Sequence, residues 1–277
     1  MIVLKTPEEI EIMALGGKIL AETLQTVLQM AKAGISTKEL DIFAEKLILE
    51  AGAKPSFKME KGYYYTTCMC LNDIVVHGIP TPRKLKEGDV LGIDMGVYYQ
   101  GFHTDASWTI QCHSGATRSA AIESSKKDAI ASLQHDDKTA IFLKTGEKAL
   151  HEAIKKCQVG NHIGDISKTI QDIVEGAGYS CVKQLVGHGV GKLLHEDPEI
   201  PCYLRGGIKN TAVIKEGMVL AVEVIYNEGK SAVVYKNDDG WSISTRDGFN
   251  SGLFEHTVAI TANGPVILTS PLAHRAV

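Results

Sequence analysis

Two aspartates in the first half of the chain stand where they could hold a cation. Asp94 ends the apolar segment 90–93, and Asp105 lies on the strand that the pattern predicts next, after a turn near Tyr99-Gln100. If that turn has two residues, the aspartates lie directly opposite each other, with Cβ atoms about 5 Å apart. Like charges in that arrangement are destabilising unless a proton or a cation lies between them. The pair therefore predicts a cation site, whereas either aspartate alone would be interpreted as a strand-terminal cap.

Glu223 and Glu255 extend this set of carboxylates in the second half of the chain. Segment 214–223 repeats the pattern that ends in Asp94, namely a turn, an apolar strand and one carboxylate. Glu255 follows on a later predicted strand, and His188 offers an imidazole. Four carboxylates and an imidazole suit two divalent transition ions better than Ca²⁺, which takes oxygen ligands. The sequence thus predicts a site for two metal ions.

Segment 187–196 contains two histidines and three glycines. The glycines occupy every second position from 187 to 191, which disfavours a helix and favours an extended backbone in close contact with its neighbours. His188 and His195 lie seven residues apart, and such positions on a regular strand point to opposite faces. If both imidazoles serve one site, the glycines must bend the chain between them. Taken alone, the segment fits a functional site and two structural histidines equally well.

A comparison of the chain with itself reveals two similar halves. The interval from Gly34 to Gly52 matches the interval from Gly160 to Gly178, and the apolar residues of the first fall on apolar residues of the second. We therefore predict an α+β fold in which two pseudo-symmetric helix–helix–strand halves form one domain. A site at the seam would take its ligands from both halves.

The two halves are predicted to be joined by a polar excursion. Half one spans about residues 1–111, and half two spans about residues 138–277 and begins with a helix over about 138–157. Residues 112–137 are rich in Ser, Lys, Asp and His and have no counterpart in the other half. We expect this excursion to lie on the surface, to be helical over about 117–133 and to be dispensable for the chemistry.

Composition limits the classes of partner that the chain could have. The 277 residues carry a net charge of −4, which gives no electrostatic reason to expect a nucleic-acid or membrane partner. No apolar run approaches the roughly 20 residues that span a bilayer, and no signal-peptide pattern is visible at the start. The six cysteines include no C-x-x-C pair, which favours a reduced, cytoplasmic protein.

Several short motifs along the chain carry a family resemblance. They are N-D-I-V-V-H-G-I-P at 72–80, I-D-M-G at 93–96, T-D at 104–105, G-H-G-V-G-K-L-L-H-E at 187–196, V-E at 222–223, Trp241 and F-E-H-T at 254–257. In this order and together, they resemble the type I methionine aminopeptidases, which have the two-halved pita-bread fold. The resemblance implies a metal-dependent hydrolase, an exopeptidase that removes N-terminal methionine when the second residue is small.

The resemblance also implies roles for individual residues. The implied ligands of two metal ions (Co, Mn, Fe or Zn) are Asp94, Asp105, His188, Glu223 and Glu255. His77 would contact the scissile amide and His195 would stabilise the reacting carbonyl, while Glu223 is the predicted proton shuttle between water and the leaving amine. The implied pocket for the methionine side chain contains Tyr63, Cys68 and Trp241, and Leu194 stands where the family usually has a bulky aromatic residue. The expected substrates are the N-termini of nascent proteins and peptides at the ribosome, and the expected state is a monomer.

Two alternatives stay open from the sequence. A proline-specific peptidase of the same fold would share the metal ligands, but such relatives usually carry a large extra N-terminal domain, and Asp94 comes too early to leave room for one. A non-catalytic binding protein on this fold would be expected to lack metal ligands, and here all five positions are intact. Segment 72–80 favours the methionine-specific branch.

Overall fold

Helices begin each half of the chain, and strands follow them. The computed structural model describes residues 2–113, 126–235 and 238–270, and it describes the side chains of these residues except for 126–137. The elements of the first half are α1 (Pro7–Met30), α2 (Thr37–Glu50), β1 (Lys54–Pro55), β2 (Thr67–Leu71), β3 (Ile74–Val76), β4 (Val90–Tyr99) and β5 (Phe102–Gln111). Those of the second half are α3 (Lys126–Ile154), α4 (Ile163–Gly176), β6 (Ser180–Cys181), β7 (Val186–Gly189), β8 (Glu196–Pro201), β9 (Val219–Asn227), β10 (Val233–Tyr235), β11 (Ile243–Thr245), β12 (Ser251–Thr261) and β13 (Gly264–Ile267).

Antiparallel strands from both halves form one large sheet. Its order is β1-β4-β5-β12-β9-β7-β8, with β2 paired to β4, β13 to β12 and β6 to β9. A smaller sheet has the order β10-β11-β3. The two halves meet where β5 of the first pairs with β12 of the second. The seam that the internal repeat predicts therefore lies in the middle of the large sheet.

The first two helices begin and pack as their sequences predict. At the start of α1, the Thr6 hydroxyl accepts the Glu9 N–H at 3.2 Å while the Glu9 carboxylate accepts the Thr6 N–H at 3.0 Å, which is a capping box. Ser36 and Glu39 form the same reciprocal pair before α2. The apolar stripes of both helices are buried between the helices and the sheet. Burial of these stripes, at about 25 cal/mol per Å² of apolar surface, is the main force that holds the helical layer on the strands.

The internal repeat is visible in the backbone. Gly88 precedes β4 and Gly217 precedes β9, and their φ angles are 83° and 85°, a left-handed conformation that glycine adopts without steric cost. The two equivalent turns therefore deliver their strands to the sheet in the same way. Asp94 and Glu223 consequently occupy equivalent places in the two halves.

The start of α3 differs from the prediction. The sequence predicts one helix over about 117–133 and another from about 138, whereas the structure has one continuous helix over Lys126–Ile154. Since no glycine or proline occurs between residues 126 and 145, nothing in the chain interrupts the helical hydrogen bonds. The remaining central part of the predicted excursion, residues 114–125, lies outside the described residues, as do residues 271–277. Within the described ranges, every helix is too short or too polar to cross a bilayer.

Candidate metal centre and adjoining cavity

A row of carboxylates crosses the seam of the large sheet. Asp94 on β4 lies opposite Ser107 on β5. Ser107 lies opposite Glu255 on β12, and Glu255 lies opposite Glu223 on β9. Because residues opposite each other project on the same face of a sheet, this register alone brings three carboxylates from both halves together.

Asp105 and His188 lie one step along the same face. Asp105 is two residues before Ser107 on β5, and His188 on β7 lies opposite Ala221, two residues before Glu223 on β9. Ligand atoms of Asp105, His188 and Glu255 lie within 4.8 Å of one another. The structure thus brings together all five of the residues that the sequence predicts as metal ligands.

The hairpin register corrects one expectation. Asp94 and Asp105 are not directly opposite each other, because the turn between β4 and β5 is Gln100-Gly101 and not Tyr99-Gln100. Both turn residues have positive φ, 47° and 98°, as a two-residue hairpin turn of the favoured twist requires. Moving the turn by one residue changes the pairing by two residues, so the two aspartates become diagonal neighbours. They still share a face, since side chains alternate with a period of two.

Thr257 fixes the backbone beside Asp105. The Asp105 N–H donates to the Thr257 hydroxyl at 2.9 Å, and that hydroxyl donates to the Asp105 carbonyl at 2.8 Å. The bridge joins β5 of the first half to β12 of the second. It holds the Asp105 carboxylate close to that of Glu255 without using either carboxylate as an acceptor.

Burial perturbs the ionisation of all four carboxylic acids. Burial raises the pKa of Asp94 to about 7. The pKa values of Asp105, Glu223 and Glu255 are raised well above the ordinary values, first by burial and then by the neighbouring carboxylates. Such shifts are expected when like charges are crowded in a site of low dielectric constant. The cluster is unfavourable unless positive charge balances it.

His188 is held in the orientation of a ligand. Its Nδ1 lies 2.9 Å from the Gly189 carbonyl, and because a carbonyl only accepts, Nδ1 carries the proton. Nε2 is therefore a lone-pair donor, and it lies 3.5 Å from Glu223 Oε1. Burial lowers the pKa of His188 to about 4, so the ring is neutral near pH 7, the form that binds metal.

Some carboxylate oxygens of the cluster are buried without a hydrogen-bond partner in the described part of the chain, which bears on whether a metal ion would fit there. Among the described residues, Asp94 Oδ1, Asp105 Oδ1 and Glu255 Oε1 are buried oxygens that receive no hydrogen bond. Leaving such oxygens unpaired is costly, and a divalent cation would satisfy all of them at once. The mixed oxygen and nitrogen donors match the preferences of divalent transition metals. The residues present therefore fit a metal centre.

A cavity of about 310 Å³ opens onto the carboxylates. The residues that the sequence predicts for a substrate pocket all line it, namely Tyr63, Cys68, His77, Leu194, His195 and Trp241. Tyr63 donates its hydroxyl to the Thr67 carbonyl at 2.8 Å, and its ring contacts Trp241 edge to face at 5.0 Å between centroids. Most ligand pockets have this combination of packed apolar walls and a few convergent polar groups.

Two further histidines, His77 and His195, line the same cavity. The chain bends between His188 and His195 and brings their ring centroids within 4.5 Å. His77 has a φ of 56°, which is uncommon outside glycine and occurs at functional sites. Burial lowers the pKa of both His77 and His195. Both rings are therefore neutral near pH 7 and each offers one N–H donor.

Several cavity residues were not predicted from the sequence. They are Phe57, Glu60, Val76, Gln184, Leu185, Val186 and Ile225. Ile225 could have been found, because it lies two residues after Glu223 on β9 and shares its face. Glu60 follows the short 3₁₀ turn Phe57–Met59, for which no periodic pattern gives a signal.

Known proteins match this chain over nearly its whole length. Metallopeptidase family M24 matches residues 11–262. Methionine aminopeptidase 1 of Bacillus subtilis is 40% identical over 269 residues, which cover 97% of this chain and 99% of the relative. The crystal structure of methionine aminopeptidase from Thermotoga maritima superposes with a TM-score of 0.85 at 36% identity, covering 98% of this chain and all of that one. The prolidase of Pyrococcus furiosus shares the fold, with a TM-score of 0.70 at 24% identity, and this chain covers 65% of its length.

These matches establish the class of protein. The chain belongs to metallopeptidase family M24 and has its pita-bread fold. Within that family it is grouped with the methionine aminopeptidases, which match it over nearly their full length. The resemblance predicted from the sequence is confirmed.

Proposed function

We propose that this chain removes the N-terminal methionine from peptides and newly made proteins, using metal ions held by Asp94, Asp105, His188, Glu223 and Glu255. The observation that supports this most directly is the juxtaposition of the buried carboxylate cluster with an apolar cavity. The named activity of its near-full-length relatives points the same way. The proline-specific alternative has only a likeness of fold in its favour.

Metal ions in this centre would supply Lewis acidity and a water of lowered pKa. The five ligands provide enough donor atoms for two ions of the Mn, Fe, Co or Zn type. Availability selects among these metals, because mixed carboxylate and imidazole sites bind all of them.

Glu223 is the proposed proton carrier. It faces Glu255 on one side and His188 on the other, and burial raises its pKa, which favours uptake of a proton by the carboxylate. In the reaction it would accept a proton from the attacking water and give it to the nitrogen of the leaving amine.

His77 and His195 are the proposed contacts of the scissile peptide. As neutral imidazoles that line the cavity, each can donate one hydrogen bond without adding charge. We assign His195 to the carbonyl oxygen, where negative charge develops, and His77 to the amide. The His195 ring lies beside His188 and the His77 ring lies beside Trp241, which suits a peptide whose first side chain enters the apolar part of the cavity.

The apolar wall is the proposed pocket for the methionine side chain. Tyr63, Cys68, Leu194 and Trp241 belong to one packed cluster, in which the thiol and the rings offer polarisable surface to a thioether. The second residue of the substrate would lie against His77 and the metal centre, which restricts it to Gly, Ala or Ser. The chain would meet such N-termini in the cytoplasm, at the ribosome, and act as a monomer.

The direct test is release of methionine from Met-Ala-Ser by the purified chain. Exhaustive chelation should abolish turnover, and Mn²⁺, Fe²⁺ or Co²⁺ should restore it. His188→Ala should lower both metal content and activity, whereas His113→Ala, which changes an exposed histidine, should leave both unchanged. Full activity in a preparation shown by elemental analysis to be metal-free would contradict the proposal. Faster cleavage of Xaa-Pro peptides than of Met-Ala-Ser would favour the proline-specific alternative.

A further inference from the structure

A buried ion pair joins the start of the chain to the loop that carries His195. Lys5 Nζ donates to Glu196 Oε2 at 2.6 Å, and the two side chains are only 3% and 7% exposed. The partners are 191 residues apart in sequence. Breaking such a pair by removal of one partner is strongly destabilising, because the other charge stays buried without compensation.

Glu196 also makes a hydrogen bond within the loop that carries His195. It directly follows His195, and its other carboxylate oxygen, Oε1, accepts the Leu193 N–H at 3.1 Å. The Gly191 N–H also donates to the Leu193 carbonyl at 3.0 Å. Leu194 and His195 face the cavity from a turn. Hydrogen bonds at Leu193 and the ion pair at Glu196 therefore restrain this turn on both sides of the two residues.

Lys5 fixes this loop to the sheet. Its backbone N–H donates to the Gly217 carbonyl at 2.7 Å, beside the turn that begins β9, and its ammonium also donates to the Val3 carbonyl at 3.2 Å. Gly191 lies against this ion pair. A Cβ atom at position 191 would be 2.7 Å from Glu196 Oε1 and 2.9 Å from Lys5 Nζ. The absence of a side chain at this position is what lets the ammonium reach the carboxylate.

We propose that Lys5 is a positioning residue, which acts through Glu196 to hold the His195 imidazole at the cavity. The proposal rests on the function proposed above. Neither Lys5 nor Glu196 lines the cavity, so neither touches a substrate there. The ion pair instead sets where the turn places His195, and a displacement of about 1 Å in such a group can lower a rate by up to about 100-fold.

The kinetic test uses Lys5→Met, which keeps the length of the alkyl chain and removes the charge. We expect kcat and kcat/KM for Met-Ala-Ser to fall together by about 10- to 100-fold, because an interaction made in the transition state is lost. Metal content should stay at the wild-type level. Glu196→Gln serves as a second, milder variant, since the amide oxygen can still accept the Leu193 N–H.

A double-mutant cycle separates positioning from general loosening. If Lys5 acts through His195, then Lys5→Met should cost no more than about twofold in a His195→Ala background. An equal loss in both backgrounds would overturn the proposal. The matched control is Lys192→Met, because Lys192 also links this loop to the first helix, at 3.3 Å from Glu9, but its side chain is 69% exposed. Loss of this exposed ion pair should change kcat by less than about twofold.

Amide hydrogen exchange provides a readout that does not depend on activity. In Lys5→Met, the amides of residues 190–196 should exchange faster, with Leu193 affected most, while α4 keeps its wild-type protection. Unchanged exchange in the loop would overturn the proposal even if the rate falls. If the wild-type chain loaded with metal did not release methionine at all, the proposed function would fail, and the exchange data would still decide whether Lys5 holds the loop.

Discussion

Glu255→Gln should stabilise the metal-free protein even though it removes a metal ligand. Glu255 is 2% exposed, its Oε1 receives no hydrogen bond, and it lies directly opposite Glu223. In the absence of a cation, the second carboxylate adds repulsion and desolvation without a compensating partner. A neutral amide of the same shape removes the repulsion.

The expected gain in stability can be estimated from the pairing of Glu223 with Glu255. Side chains that are directly opposite have Cβ atoms about 5 Å apart, and two unit charges at that separation repel by about 3 kcal/mol at an effective dielectric constant of about 20. Burial and the neighbouring carboxylates raise the pKa of both Glu223 and Glu255. Proton uptake therefore relieves part of this repulsion, and we expect a gain of about 2 kcal/mol.

The pH dependence has a definite sign. A carboxylic acid whose pKa is raised in the folded state keeps its proton where the unfolded chain has lost it, so stability falls as the pH rises from the unfolded value through the folded one. For Asp94 this interval runs from 3.8 to about 7. The buried histidines have lowered pKa values and act in the opposite direction, equally in both proteins. The comparison that isolates the carboxylates is therefore the difference between the two proteins, and the advantage of Glu255→Gln over the metal-free wild type should be larger at pH 8 than at pH 5.

Urea unfolding of both proteins, in chelator and in saturating Mn²⁺, measures these differences. In Mn²⁺ the wild type should become the more stable of the two proteins. A metal ion present at 100 times its Kd stabilises the wild type by about 2.7 kcal/mol, and the variant binds the ion less well. Glu216→Gln, at an exposed carboxylate on the turn before β9, should change neither midpoint. A variant that is less stable than the wild type in chelator would refute the reasoning.

Three further predictions concern the centre, the pocket and the helical layer. Glu223→Gln should lower kcat by at least about 100-fold at saturating metal, the usual size of a lost general acid–base step, and a near-normal kcat would exclude the proton-carrier role. Leu194→Phe should narrow the pocket and raise the preference for Met-Ala-Ser over Leu-Ala-Ser, within the range of about 1–3 kcal/mol that one apolar contact provides. An unchanged kcat/KM ratio would contradict this. Gly146→Ala should destabilise the fold by about 1–3 kcal/mol, because its Cβ would approach Phe254 and Tyr226 within 2.6 Å; thermal unfolding would test it, and an unchanged midpoint would contradict it.

The sequence by itself determined the local features and the composition of the site. Capping residues such as Thr6 and Ser36 act within one helical turn, so their pattern is sufficient to locate α1 and α2. The internal repeat related Asp94 to Glu223 because each follows the same turn and apolar strand. Side-chain alternation then assigned the carboxylates to one face, since the period of a strand is independent of its partner.

The tertiary structure decided how these pieces meet. The pairing of Asp94 with Ser107 depends on a turn at Gln100-Gly101, and moving a turn by one residue leaves the alternation pattern unchanged. The cavity wall at Glu60 and the ion pair between Lys5 and Glu196 join segments that are distant in the chain. Contacts of this kind leave no periodic signal in the sequence, because they arise only when the folded sheet brings the segments together.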